Sequence, residues 1–319
     1  MLRLRLSPAL TPSILALLAL VCAPAARASC GAAFCAVNTS WDVQGVWDKP
    51  GLRLDLRAEF IDLNQLRDGT EKVAPAGEPG EHDERRTLNR NFSATLDWSF
   101  GPRWGLSARL PVTSRTHDHV HNDPDGAEAE GWDFAAPGDL EVVGRYAFFR
   151  DAATTLGVRA GLKLPTGTTD VRNEQSETAE RSLQPGSGSL DTLLGFYGSH
   201  RTGRVLWFAQ ATWQQAVTVE DHFHPGYRLG FDAGANVAVD ARLSLLLQLN
   251  VLHRGHDSGF NAEADRSGAT QVFLSPGLSY RLLPSVQVYG FFQQPVHQAM
   301  DGVQLTADWS SAVGLSFQF

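Results

Sequence analysis

Histidine is the residue of this chain whose type and spacing most readily support chemistry. The sequence has ten, and they cluster. The run Thr116-His117-Asp118-His119-Val120-His121-Asn122-Asp123 places three imidazoles on one face of an extended chain, because side chains alternate with period two. Asp221-His222-Phe223-His224 repeats the H-x-H spacing beside a carboxylate. Imidazole with a nearby carboxylate suits Zn, Cu or Ni ions, so His117, His119, His121, His222 and His224 are candidate ligands. Two other readings stand beside this one. These histidines serve as ordinary solvated loop residues, or they sense pH near the imidazole pKa of ~6.5.

The elements that must position them follow one pattern. From Leu52, apolar Leu54, Leu56, Ala58 and Phe60 alternate with Arg53, Asp55, Arg57 and Glu59. Phe92, Ala94, Leu96, Trp98 and Phe100 alternate with Ser93, Thr95, Asp97 and Ser99. The alternation continues to Phe319, and no helix-period segment is present to cover a sheet. Segments of roughly ten residues with this pattern are the signature of a membrane β-barrel, apolar outward to lipid and polar inward. The expected fold is all-β, a single antiparallel transmembrane β-barrel of about 12 strands over residues 51–319. The strands are expected near 52–64, 88–100, 104–116, 138–149, 154–165, 189–200, 205–217, 227–239, 242–254, 270–282, 286–296 and 303–319. Short turns, such as those at Gly101-Pro102-Arg103 and Leu283-Pro284-Ser285, alternate with long loops at 65–87, 117–137 and 166–188. On this topology most histidines sit in or beside external loops. Trp98, Trp104, Phe148, Trp207 and Tyr280 collect at the short-turn ends, as an interfacial aromatic girdle would.

Composition agrees. With 43% hydrophobic residues the chain is too apolar to be disordered, and a net charge of −8 argues against nucleic acid as a partner. Arg3 and Arg5, the apolar run from Ile14 to Val21, and Ala26-Arg27-Ala28 form a secretory signal over residues 1–28. Residues 29–50 then form a short N-terminal periplasmic or plug segment. Cys30 and Cys35 are an even pair in an oxidising compartment, and a small disulfide is expected between them. The expected location is the outer membrane of a Gram-negative bacterium, with the N-terminus periplasmic and outer-membrane lipid as the surroundings. A terminal Phe319 closing an alternating strand is the feature read by the outer-membrane barrel assembly machinery.

The inward face is charged. Arg53, Asp55, Arg57, Glu59, Arg109, Asp139, Glu141, Arg145, Arg159, Lys163, Asp191, Arg228, Asp232 and Arg281 are expected to line the lumen. Mixed charges of this kind either pair across the interior and close it or line a narrow wet pathway. Neither sign dominates.

Three segments carry a family resemblance. They are Gly138-Asp139-Leu140, Gly161-Leu162-Lys163-Leu164-Pro165-Thr166-Gly167, and Gly186-Ser187-Gly188-Ser189-Leu190-Asp191. Together they resemble the outer-membrane transporter family named for the meta-pathway of phenol degradation, over roughly residues 138–200. The resemblance implies a channel or transporter for small, hydrophobic or aromatic solutes. The residues alone give a simpler account, in which Pro165 ends strand pairing and the glycines supply loop flexibility. His256-Asp257-Ser258 with Asn261 superficially resembles the H-x-S motif of outer-membrane phospholipase A, but it lies in a Gly-rich loop. No enzyme activity and no resident cofactor are expected. The alternatives to solute passage are metal-ion capture through the His-rich segments, and a structural or adhesion barrel with a closed lumen.

Overall fold

The computed structural model describes residues 29–30, 34–46, 50–77, 79, 82–260 and 262–319. The expected signal segment, and the side chains of Ser29 and Cys30, lie outside the described residues. The first group of strands is β1 (Gly51–Gly69), β2 (His82–Ser99), β3 (Trp104–Asp123) and β4 (Gly126–Pro137). Next come β5 (Leu140–Arg150), β6 (Thr154–Leu164), β7 (Asp191–Thr202) and β8 (Val205–Ala216). The last are β9 (Arg228–Ala238), β10 (Leu243–Arg254), β11 (Ala269–Leu283) and β12 (Val286–Gln318).

Neighbours in this order pair antiparallel, except that β4 and β5 both pair with β3, and β12 pairs with β1 to close the wall. Closure removes the exposed sheet edge that an open sheet would present. The 33-residue β12 turns back at Gly302, whose φ of +72° suits a residue without Cβ. Its first half pairs with β11 and its second half with β1. Eleven ring elements therefore cross the wall twelve times. β4 is the outer continuation of β5, since β3 pairs with both on either side of a break at Gly138-Asp139.

Alternation sets the two faces. Phe92, Leu96, Trp98, Leu106 and Leu110 point outward and are exposed, while Arg53, Asp55, Arg57 and Glu59 are buried inward. Past Phe92 and Val112 the outward positions of β2 and β3 become mixed, with Arg90, Arg86 and Asp118 facing out beside Leu88 and Val120. The outer thirds of β2 and β3 thus stand above the apolar band. Strand lengths differ around the ring, with 18 to 20 residues in β1, β2 and β3 and 11 or 12 in β5 to β10.

The lumen is filled from both ends. Residues 34–46 run inside the wall as a plug. Trp41, fully buried, meets Tyr289 edge-on at 4.9 Å and stacks toward Phe291 at 6.4 Å. At the opposite end, the loop after β6 folds inward as a cap. Its Ala179 and Leu183 pack with Trp132, Leu66 and Leu305 in one buried cluster.

One expectation is corrected. The segment 117–137 is not a loop: β3 runs on to Asp123 and β4 returns beside it. Its outward face mixes Asp118, Asn122 and Asp133 with Val120 and small alanines, so it lacks the bulky apolar alternation by which membrane strands are recognised. The expected Cys30–Cys35 disulfide involves the Cys30 side chain, which lies outside the described residues; Cys35 is a buried thiol against the Ser311 carbonyl at 3.5 Å.

Candidate functional site

The plug rests on a lattice of charge near the short-turn end. Arg53 pairs with Asp97 and, at 3.5 Å, with Asp42 of the plug, and Asp42 also pairs with Arg145. Arg57 pairs with Glu59 and donates to the Val37 carbonyl at 2.9 Å and the Cys35 carbonyl at 3.2 Å. Asp55 accepts from Trp41 Nε1 at 3.2 Å and Tyr289 Oη at 2.7 Å. Asp232 accepts from the Asn38 side chain at 3.1 Å. Six of the expected lumen residues therefore hold the N-terminal segment in place. Buried ions are tolerated only when paired and hydrogen-bonded in this way. Burial, then the Glu59 carboxylate, pushes the Cys35 thiol up to about 12.

Above the plug lies a cavity of about 500 Å³, bounded by plug residues 34–40, the wall and the cap. Arg57, Arg109, Arg115, Arg159, Lys163, Arg181, Arg228 and Arg254 line it against Asp97, Asp139, Glu141, Asp191 and Asp232. Basic side chains outnumber acidic ones eight to five. The balance read along the strands does not hold in the lining itself, because the partners of Arg57, Arg181 and Arg254, namely Glu59, Glu220 and Asp257, lie outside it. Arg109 meets Glu141 at 3.5 Å, and Arg159 donates to the neutral Gln210 at 2.8 Å. Arg228 is exposed to the cavity and makes no ion pair among the described residues. Arg281 does not line the cavity; it reaches the Ala241 carbonyl at the rim, at 3.4 Å.

The three segments that carry the family resemblance converge in space. Asp139 accepts from Lys163 Nζ at 3.0 Å and from the backbone N–H groups of Gly167 and Ser187, both at 2.9 Å. Lys163 also meets Asp191 at 3.2 Å. Both ends of the cap are thereby fastened to the wall at one point. Gly167 and Gly186 touch backbone to backbone, and a Cβ on either would lie 2.6 Å from the other. These glycines serve close approach rather than flexibility.

The histidines gather at the outer end of β2 and β3. The structure brings His117, His119 and His121 together with His82, Glu84 and Glu130, and with Glu180 of the cap. His82 Nε2 lies 3.4 Å from Glu180 and 3.6 Å from Glu84, and His117 Nε2 lies 3.3 Å from Glu84. His119 and His121 both reach Glu130, at 3.1 and 3.4 Å. Burial, reinforced by the neighbouring His82 and His121, pulls His119 down to about 3. His117 is lowered for the same first reason. His222 and His224 are exposed and belong to neither cluster of potential ligands among the described residues. The loop holding them meets the cap through Arg181, 3.4 Å from Glu220.

Sequence reasoning missed His82, Glu84, Glu130 and Glu180 as partners, and Arg115 and Arg181 as cavity residues. His82 and Glu84 carried no parity signal, because the inward positions of β2 are odd-numbered from Asp97 to Thr87 and an irregularity between Glu84 and Arg86 turns these even-numbered residues inward. Nothing in the sequence placed Glu180. In the H-x-S segment, His256 engages the Ala264 carbonyl and, at 3.2 Å, Asp301, while the Ser258 backbone pairs with His224; Asn261 lies outside the described residues.

No protein-family profile matches the chain, and no curated protein matches it. Solved structures do. The COG4313 outer membrane channel from Pseudomonas putida F1 aligns with a TM-score of 0.60 at 13% identity, over 85% of this chain and 96% of that one. The translocator domain of the autotransporter NalP from Neisseria meningitidis gives 0.49 at 9% identity, over 87% and 92%. A monoaromatic hydrocarbon channel, CymD, gives 0.45 at 10% identity, over 89% and 94%. The first of these likenesses establishes that the chain has the fold of an outer-membrane β-barrel.

Proposed function

We propose that this protein is an outer-membrane channel for small organic solutes that carry an acidic group on an apolar body. The observation that carries this reading is the cavity between plug and cap, where Arg159 and Arg228 face the space with no ion pair of their own among the described residues. Guanidinium groups bind carboxylates with paired, charge-assisted hydrogen bonds. A solute carboxylate can therefore take the open place beside Arg228 and Arg159. Apolar contact is at hand from Phe34, Pro111, Pro185 and Phe223. A volume of about 500 Å³ is in the range of small-molecule sites. The family resemblance suggested hydrophobic or aromatic solutes; the charged lining restricts that expectation to aromatic or aliphatic acids.

Passage requires the plug to shift, because residues 34–46 lie under the cavity. In this reading the short-turn end faces the periplasm, the N-terminal segment joins β1 there and reaches Leu305 toward the opposite end, and Phe319 at the short-turn end engages the assembly machinery. The test is flux through the refolded protein in liposomes. Benzoate is expected to enter faster than benzyl alcohol or benzylamine, with an anion-selective reversal potential in planar bilayers. Absence of any conductance or flux, also after deletion of residues 34–46, would establish the closed structural barrel instead.

A further inference from the structure

We propose that His82, Glu84, His119 and Glu180 form a binding site for a divalent cation of the zinc class, and that the ion fastens the cap to the barrel wall. The four side chains offer ligand atoms that all lie within 4.8 Å of one another. They come from three separate elements. β2 supplies His82 and Glu84, β3 supplies His119, and the cap supplies Glu180. The two wall strands are rigid, paired sheet, and His82 and Glu84 share one face by the period of two. That places ligands on preset positions, as a metal site needs.

The spacings fit an ion better than direct hydrogen bonds. His82 Nε2 lies 3.4 Å from Glu180 Oε1 and 3.6 Å from Glu84 Oε1. Nitrogen–oxygen hydrogen bonds run from about 2.7 to 3.2 Å. Ligand atoms on a tetrahedron with bonds of about 2.0–2.1 Å lie roughly 3.3–3.4 Å apart. Donor chemistry points the same way. Two carboxylates, with side chains 0% and 16% exposed, face two imidazoles, the mixed oxygen and nitrogen donor set that a dication of this class takes. Arg181, the neighbour of Glu180, is turned toward Glu220. Two imidazoles with two carboxylates favour a d-block ion over calcium or magnesium, which take oxygen ligands.

A second triad gives the ion a way in. His119, His121 and Glu130 also converge within 4.8 Å, and His119 belongs to both sets. His121 is 40% exposed and Glu130 22% exposed, so the triad leads from solvent to the buried site. This cluster stands apart from the solute cavity, whose lining includes none of these residues. Metal binding can therefore fail while solute passage survives, and the reverse.

The experiment uses the full-length mature protein, refolded in detergent and stripped with a chelator. Zn(II) binding is measured by competition with a chromophoric chelator, and Co(II) is used for its visible spectrum. The expected result is one equivalent of Zn(II) held at micromolar or tighter affinity, with a tetrahedral Co(II) spectrum. His82→Ala and Glu84→Gln are each expected to lower affinity by about 100-fold, and Glu180→Gln by about tenfold. His222→Ala with His224→Ala should leave it unchanged. Glu180 lies outside the strands, so Glu180→Gln keeps the test valid if a wall variant fails to fold. Zn(II) should also slow tryptic cleavage at the exposed Arg172 of the cap, but not in Glu180→Gln. Binding below one-fifth of an equivalent, or affinity in His82→Ala within about threefold of the parent, overturns the site. Unchanged cleavage with Zn(II) bound overturns the fastening role.

Discussion

The two ends of the lumen hold their charges by different chemistry. At the short-turn end, guanidinium meets carboxylate, as in Arg53 with Asp97 and Asp42, Arg145 with Asp42, and Arg57 with Glu59. At the outer rim, imidazole meets carboxylate, as in His82 with Glu84 and Glu180, and His119 with Glu130. Guanidinium stays charged at every pH a protein meets, so the floor is a permanent lattice. Imidazole is neutral when buried and is a metal ligand, so the charge balance of the rim depends on what else is bound. The comparison assigns constancy to the floor and exchange to the rim. The cavity lies between a seat that is hard to disturb and a cap whose fastening can be changed.

The contrast predicts unequal responses to mutation. The largest is expected at the floor. Arg57→Ala leaves Glu59 buried without its partner and removes the donor to two plug carbonyls. A loss of about 3–5 kcal/mol is expected in denaturant unfolding of the refolded barrel. A loss below about 1 kcal/mol would show that the lattice does not hold the plug. Next is Trp41→Ala, which removes the buried ring from Tyr289 and Phe291. Its cost, about 3–5 kcal/mol, should fall mainly on seating of the plug rather than on the wall. Cys35 reports it directly, since that thiol is buried and pushed up to about 12, chiefly by burial. In a Cys30→Ser background, maleimide should label Cys35 slowly in the parent and much faster in Trp41→Ala. Equal labelling would remove the idea of a seated plug.

A middle effect is expected where the cap joins the wall. Lys163→Met leaves Asp139 and Asp191 facing each other without their shared cation. Faster tryptic cleavage at Arg172, with the heat-modifiable mobility of the barrel unchanged, is the expected readout. The smallest effect is electrostatic. Arg228→Gln should reduce anion selectivity in planar bilayers by a few-fold at low salt and by less at high salt, because the screening length falls below about 8 Å. If selectivity does not change, the unpaired charge of the cavity does not act on solutes.

The closed wall was legible in the sequence because one rule produced it. Every inward position alternates with an outward apolar one, and the strands seen at 104–123, 154–164 and 205–216 start within a residue of where that alternation places them. The rule applies only where lipid demands apolar side chains. Above Phe92 and Val112 charged and small residues interrupt the bulky apolar alternation, so the ends of β2 and β3 and the whole of β4 read as loop. For the same reason the H-x-H face of His117, His119 and His121 was visible, but its partners were not. His82 lay beyond the recognised strand, and Glu180 arrives by a long loop whose path depends on Asp139 accepting two backbone N–H groups. The plug itself had no local pattern to record its course, because its side chains are fixed by partners far along the chain, such as Asp55 for Trp41 and Asp232 for Asn38.

The unequal strand lengths have a consequence for approach to the mouth. At about 3.3 Å per residue and a tilt near 40°, strands of 11 residues rise about 28 Å, close to the thickness of the apolar band. The 20 residues of β3 rise to about 50 Å. The rim is therefore cut on a slope of roughly 20 Å, like the lip of a scoop. Its high side is a hydrogen-bonded wall carrying the imidazoles, and its low side is the short β6 to β10 arc with its loops. Molecules approaching this end meet a barrier from one direction and an open sill from the other.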